Sequence, residues 1–188
     1  KYDNKIIIAS DKHIYLSDDE RGVFSNLKLK TIDFTNLHTE LLTSTLRMFE
    51  RSAIKKLDFS TFGPCKLIKT SKMFLLFASD ELNLTGLHTE YVETMQEMFR
   101  DALIGELTLD GIDTHSVKNM RSMFEGSNIP SIDIRTFSFQ SLNNAEDMFC
   151  ECKADEINIE GLKLNPECKK QGMFFDCKES RELIRKVW

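Results

Sequence analysis

Residues 117–124 read Val117-Lys118-Asn119-Met120-Arg121-Ser122-Met123-Phe124, and the closing dipeptide decides the fold class. Met-Phe returns every 25 residues, at Met48-Phe49, Met73-Phe74, Met98-Phe99, Met123-Phe124, Met148-Phe149 and Met173-Phe174. Val23-Phe24 holds the same register one period earlier. A fixed period in this range marks a stacked solenoid, in which each repeat buries its apolar face only against its neighbours. Such arrays serve as binding surfaces more often than as reaction vessels.

A second marker keeps the same period: Ile32-Asp33-Phe34, Leu57-Asp58-Phe59, Leu82-Asn83-Leu84, Leu107-Thr108-Leu109, Ile132-Asp133-Ile134 and Ile157-Asn158-Ile159. Apolar, polar, apolar is the alternation of a strand with one buried face. A further apolar residue follows three places on, at Leu37, Phe62, Leu87, Ile112, Phe137 and Leu162. Ile54 to Phe62 thus reads I-x-x-L-x-F-x-x-F, which fits the leucine-rich repeat pattern with an apolar residue in place of the usual Asn.

The rest of the repeat has another spacing. Val117, Met120, Met123 and Phe124 fall at i, i+3, i+6 and i+7, as do Val92, Met95, Met98 and Phe99, which predicts about two helical turns. Helices need roughly 10 Å of width and parallel strands about 4.8 Å, so the array is expected to curve with its strands inside. The expected fold is α/β: a leucine-rich-repeat solenoid of about six to seven 25-residue turns, with parallel strands on the concave face and short helices on the convex face. It forms one domain over residues 1–188, with an N-terminal cap at 1–21, repeats at 22–178 and a C-terminal cap at 179–188. In the first cap, Ile6-Ile7-Ile8 and Ile14-Tyr15-Leu16 read as a hairpin or strand pair over the first turn. In the second, Leu183, Ile184, Val187 and Trp188 fit one helical face. Small residues follow most of the Met residues by four places, at Ser52, Ala102, Ser127, Cys152 and Cys177, and Phe77 breaks that column.

Composition is that of a globular protein, with 41% hydrophobic and 29% charged residues. The net charge of −5 argues against direct nucleic-acid binding, which needs a basic footprint. No apolar run reaches the length of a membrane span. The chain begins at Lys1 rather than Met, so the lack of a leader there carries no information. Five cysteines cannot all pair within one chain.

The repeats resemble the BspA-like leucine-rich repeat family of bacteria. Leu57-Asp58-Phe59-Ser60-Thr61-Phe62 and Val117-Lys118-Asn119-Met120-Arg121-Ser122-Met123-Phe124 carry the likeness, with Cys152 and Cys177 where that family places its Cys. It covers about residues 14 to 178. It implies a surface-associated or secreted bacterial protein that binds other proteins. Phe137-Ser138-Phe139-Gln140 and Leu162-Lys163-Leu164-Asn165 depart from the family's F-D-T-S, a divergence that points to a particular partner.

Outward strand positions define the candidate surface. They are Thr31, Asp33, Thr35; Lys56, Asp58, Ser60; Glu81, Asn83, Thr85; Glu106, Thr108, Asp110; Ser131, Asp133, Arg135; and Glu156, Asn158, Glu160. Eight acids against two bases give this face a charge of −6, while the remainder of the chain sums to +1. Asp33, Asp58, Glu81, Glu106, Asp110, Asp133, Glu156 and Glu160 are therefore the residues expected to meet a locally basic protein. Exposed acids also keep an open sheet soluble, and Asp is common at this position in the resembled family. The face carries no aromatic anchor, so Leu75, Leu76, Tyr91 and Phe139, apolar residues in otherwise polar loop columns, are secondary contact candidates. Local repacking is the alternative for Leu75 and Leu76.

No catalytic constellation is visible. The four histidines are scattered, with His38 and His88 two turns apart inside a repeated Leu-His-Thr-Glu. There is no phosphate-cradling glycine loop and no nucleophile motif. Cys150, Cys152, Cys168 and Cys177 lack zinc-clamp spacing and read as small core filler, although Cys152 and Cys177 share a column and outside the cell two of these thiols could pair. The expectation is a non-enzymatic protein-binding module without metal or cofactor, at the cell surface or secreted. The alternative is a cytoplasmic inhibitor whose acidic face imitates nucleic acid in the basic groove of a nucleic-acid enzyme.

Overall fold

The computed structural model describes residues 14–16, 22–35 and 37–178. Within them lie nine short strands: β1 (Ile14–Tyr15), β2 (Lys28–Leu29), β3 (Leu37–His38), β4 (Ala53–Ile54), β5 (Lys56–Asp58), β6 (Ala78–Asn83), β7 (Leu103–Thr108), β8 (Ser131–Asp133) and β9 (Glu156–Asn158). Every ladder is parallel, and from β2 onward partners are one repeat apart, as in Lys56↔Glu81, Glu81↔Glu106 and Ser131↔Glu156. The chain is a parallel β-solenoid. Its main strand recurs in five successive turns, β5 to β9, fewer than the six to seven turns expected.

The convex helices do not form: no helix occurs among the described residues. The Met-Phe segment is a run of tight turns stacked on the next repeat. Alternate amides donate across the stack, from Met120 to Asn144 (2.8 Å), Ser122 to Glu146 (2.9 Å), Phe124 to Met148 (2.8 Å) and Gly126 to Cys150 (2.8 Å). Those between them close locally, from Met123 to Met120 (3.2 Å), Glu125 to Ser122 (3.3 Å) and Ser127 to Phe124 (3.1 Å). Residues in the left-handed region recur every fourth place, such as Ser122 (φ 55) and Gly126 (φ 65), or Lys72 (φ 58) and Leu76 (φ 56).

The reason is thickness. Bonds from residue i to its counterpart one turn on hold successive turns about one strand spacing apart on this side as well, half the width a helix requires. Tight turns return a side chain inward at the same i, i+3, i+6, i+7 spacing, and Val117, Met120, Met123 and Phe124 are all buried. The curvature argued from helix width loses its basis with the helices.

The core follows the repeat. Phe24, Phe49, Phe74, Phe99, Phe124, Phe149 and Phe174 stack face to face, with successive centroids 5.4, 5.5, 5.4, 5.2, 5.3 and 5.4 Å apart. Ile54, Leu57 and Phe59 meet this ladder from the strand side with no exposed surface. Ser52, Ala102, Ser127, Cys152 and Cys177 are buried, as a column of close approach requires. Phe77, which breaks that column, is also buried, 5.2 Å from Phe74 and 6.3 Å from Phe49. At the N-terminal end β1 pairs with β3 and covers the first turn. Ile6 to Ile8 and the C-terminal cap residues Leu183, Ile184, Val187 and Trp188 lie outside the described residues.

Candidate functional site

All eighteen outward strand positions are exposed or half-buried, so the alternation placed them on the open side. Much of the Asp and Asn on this face is structural. Oδ1 of Asp33, Asp58, Asn83, Asp133 and Asn158 accepts the amide two residues on, from Thr35 (3.0 Å), Ser60 (2.9 Å), Thr85 (3.0 Å), Arg135 (3.1 Å) and Glu160 (3.2 Å). These Asx turns end the strands. Asn serves as well as Asp in them, so the turn does not need the charge.

Glu81 and Asp133 are held by cations of the same face. Lys56 Nζ lies 2.6 Å from Glu81 Oε1, in register across β5 and β6. Arg135 grips Asp133 through Nη2 at 2.6 Å and Nε at 3.1 Å to the same oxygen, and this guanidinium holds the Asp133 carboxyl below its ordinary range. Asp58 takes a neutral bond from Asn83 Nδ2 at 3.1 Å. Glu106, Asp110, Glu156 and Glu160 have no cation within ion-pair distance among the described residues, although Arg135 acts on Glu156 and Glu160, and Lys56 on Glu106, at longer range.

Asp110, just after β7, borders an interruption that the repeat pattern did not announce. The sheet is continuous from β2 to β7, and β8 and β9 form a separate pair. Ile104 donates to Asn128 at 3.1 Å and Asn128 to Ala102 at 2.8 Å, but no backbone bond joins residues 105–109 to 130–134. Pro130 has no amide to give, and Gly105 stands at the matching place one turn earlier. The next ladder resumes at once, with Asp155 and Glu156 both donating to the Pro130 carbonyl at 2.9 and 3.1 Å. The gap is a cleft of about 480 Å³ lined by Leu107, Thr108, Leu109, Asp110, Asp133, Arg135 and Thr136. Leu107 is half-buried there, whereas Leu57 and Leu82 at the same place in other turns are fully covered. Its rim carries Asp110 and the Asp133–Arg135 ion pair, with Leu107 beneath.

A family described as a Mycoplasma protein of unknown function, DUF285, matches residues 18–107 and 68–188. The chain belongs to DUF285. No curated protein and no solved structure matches it.

The loop residues of this DUF285 chain divide. Tyr91 is 59% exposed and borders a second hollow of about 360 Å³ with Glu40, Pro64, Cys65, Lys66, His88 and Glu90. Leu76 is 44% exposed, and Leu75 beside it is half-buried. Phe139 is only 5% exposed and packs 6.3 Å from Phe137, which makes it a core residue and removes it from the contact surface. Its polar-column position gave no sign of this, yet the column is buried in other turns too, at Thr39, Thr89 and Thr114.

His38 and His88 each face the Glu two residues on, Glu40 at 3.1 Å and Glu90 at 3.4 Å, and His115 faces Asp113 at 2.7 Å. Among the described residues, no group of three His, Cys, Asp or Glu side chains could hold a metal ion. Burial pushes the Cys65 thiol up to about 12, so it stays protonated. No described helix is long and apolar enough to cross a membrane.

Proposed function

We propose that this DUF285 chain is a non-enzymatic protein-binding module that meets a locally basic partner with its outward strand face. The supporting observation is the excess of acid on that face, −6 from eight acids and two bases, with Asp110 on the rim of the β7–β8 cleft. Charge of this kind raises association rates and selects partners by sign. The partner's basic side chains would lie along the strands, and one would enter the cleft, its stem on Leu107 and its head at Asp110. Tyr91 and Leu76 would add apolar contact at the edge. The resemblance to BspA-like leucine-rich repeats, carried by Leu57 to Phe62 and Val117 to Phe124, supports a place at the bacterial surface for this module.

The test is a paired capture experiment. The unaltered chain and a variant carrying Glu106→Lys, Asp110→Lys, Glu156→Lys and Glu160→Lys are immobilised and offered the same surface and secreted proteins. A control variant reverses as many acids on the Met-Phe side, Glu151 and Asp176 among them. A partner kept by the unaltered chain and the control, lost by the face variant and slowed by salt is the expected result. A folded face variant that keeps the same partner at the same rate would reduce the acids to a solubility device.

A further inference from the structure

Cys152 and Cys177 stand at the same place in successive turns and are 1% and 4% exposed. The Cys177 thiol hydrogen-bonds to the Cys152 sulfur, and Ser127 Oγ lies 3.5 Å from that sulfur on its other side. The backbone is in register here: Lys153 donates to Ser127 at 2.9 Å and Lys178 to Cys152 at 3.4 Å. Neighbouring chains in a parallel stack run about 4.8 Å apart, within the Cα separation that a disulfide bridges. Both sulfurs are free thiols.

We propose that Cys152 and Cys177 form a redox pair, closed to a disulfide by exchange with a small-molecule disulfide, which clamps the turn ending at Cys177 to the one before it. This rests on the register and the sulfur contact, independently of the binding reading. The Cys152 thiolate attacks one sulfur of the small disulfide and releases its first thiolate. The Cys177 thiolate then attacks the Cys152 sulfur of the mixed disulfide and expels the second. The two protons of the protein thiols pass to the two released thiolates. The protein loses two electrons and the small disulfide gains them.

The hydrogen bond from Cys177, joined by the Ala154 amide and the Ser127 hydroxyl, draws the Cys152 thiol below its ordinary range. Burial raises Cys65, Cys150 and Cys168 instead, so the pair differs from the other thiols in contact and in chemistry. Exchange at such buried sulfurs runs through local opening of the turn that carries Cys177. An oxidising compartment would close the pair and a reducing one would keep it open.

The experiment exposes the folded chain to glutathione disulfide, then denatures it, alkylates the remaining thiols and maps the peptides. The expected map links Cys152 to Cys177 and finds Cys65, Cys150 and Cys168 alkylated. The melting temperature should rise by a few degrees, and dithiothreitol should reverse both effects. Cys152→Ser and Cys177→Ser should each abolish the rise, since Ser127 already fits this column. If a Ser variant fails to fold, the map of the unaltered chain still decides. Alkylation of both Cys152 and Cys177, a glutathione adduct left unresolved on Cys152, or pairing of either residue with Cys150 or Cys168 would each overturn the proposal.

Discussion

The ring of Phe99 lies 5.2 Å from that of Phe124, with only 9° between their planes. The stack keeps the pitch of one strand spacing per turn that the backbone bonds hold on the Met-Phe side. A helix on that side would double the pitch and pull the rings apart. The aromatic ladder and the missing helices are therefore one fact.

Truncating Phe99 or Phe124 to Ala should cost about 3–5 kcal/mol, because each is fully buried with a ring on either side. Urea unfolding reads this directly. A loss below about 1 kcal/mol for both would mean that the ladder is not the core.

The cleft between β7 and β8 should show in amide exchange. Phe59, Leu84 and Ile134 donate across the stack to Asn83, Thr108 and Asn158 at 2.9, 3.1 and 3.1 Å, and Leu109 at the equivalent place donates to nothing across it. Its amide should exchange fastest of the four. Pro130→Asp, which installs the residue found at Asp80 and Asp155, should slow that exchange by returning a donor to the ladder. Equal protection of all four amides in the unaltered chain would mean that the sheet is closed there.

The Asx turns predict a graded substitution series. Asp58→Asn should leave stability nearly unchanged, as Asn83 and Asn158 already make the same turn. Asp58→Ala should cost about 1 kcal/mol through the lost bond to Ser60. Equal effects of Asn and Ala would show that the turn contributes nothing.

Leu76 holds a φ of 56° while 44% exposed. A branched side chain in the left-handed region is strained by roughly 1–2 kcal/mol, a cost that Gly avoids. Leu76→Gly should therefore be neutral or stabilising in thermal melts, unlike most changes of a Leu to Gly. If it also weakens partner capture, the strained leucine is kept for contact.

Metal is the remaining check. A chelator should leave the melting temperature unchanged, and elemental analysis should find no stoichiometric zinc. One zinc per chain, lost together with stability, would make ligands of Cys150, Cys152, Cys168 and Cys177.

The 25-residue period by itself determined a stacked array, the positions of the buried Phe, Met and Leu, and which side of each strand faces out. Those features depend on periodicity, and periodicity is local information. Three others were settled only by the stack. Val117, Met120, Met123 and Phe124 fit helix and stacked turns equally well, and only the neighbour one strand spacing away excludes the wider element. Phe139 reads as an exposed apolar residue until its column, with Thr39, Thr89 and Thr114, is seen to be buried. Asp58 and Asp133 share a column and both close a turn, but only Asp133 is gripped by Arg135, and Asp110, from another column, stands with it beside a cleft. That cleft opens because Pro130 has no amide for the strand before it. The sequence names the proline, but only the tertiary structure sets residues 105–109 beside it and leaves their ladder unmade.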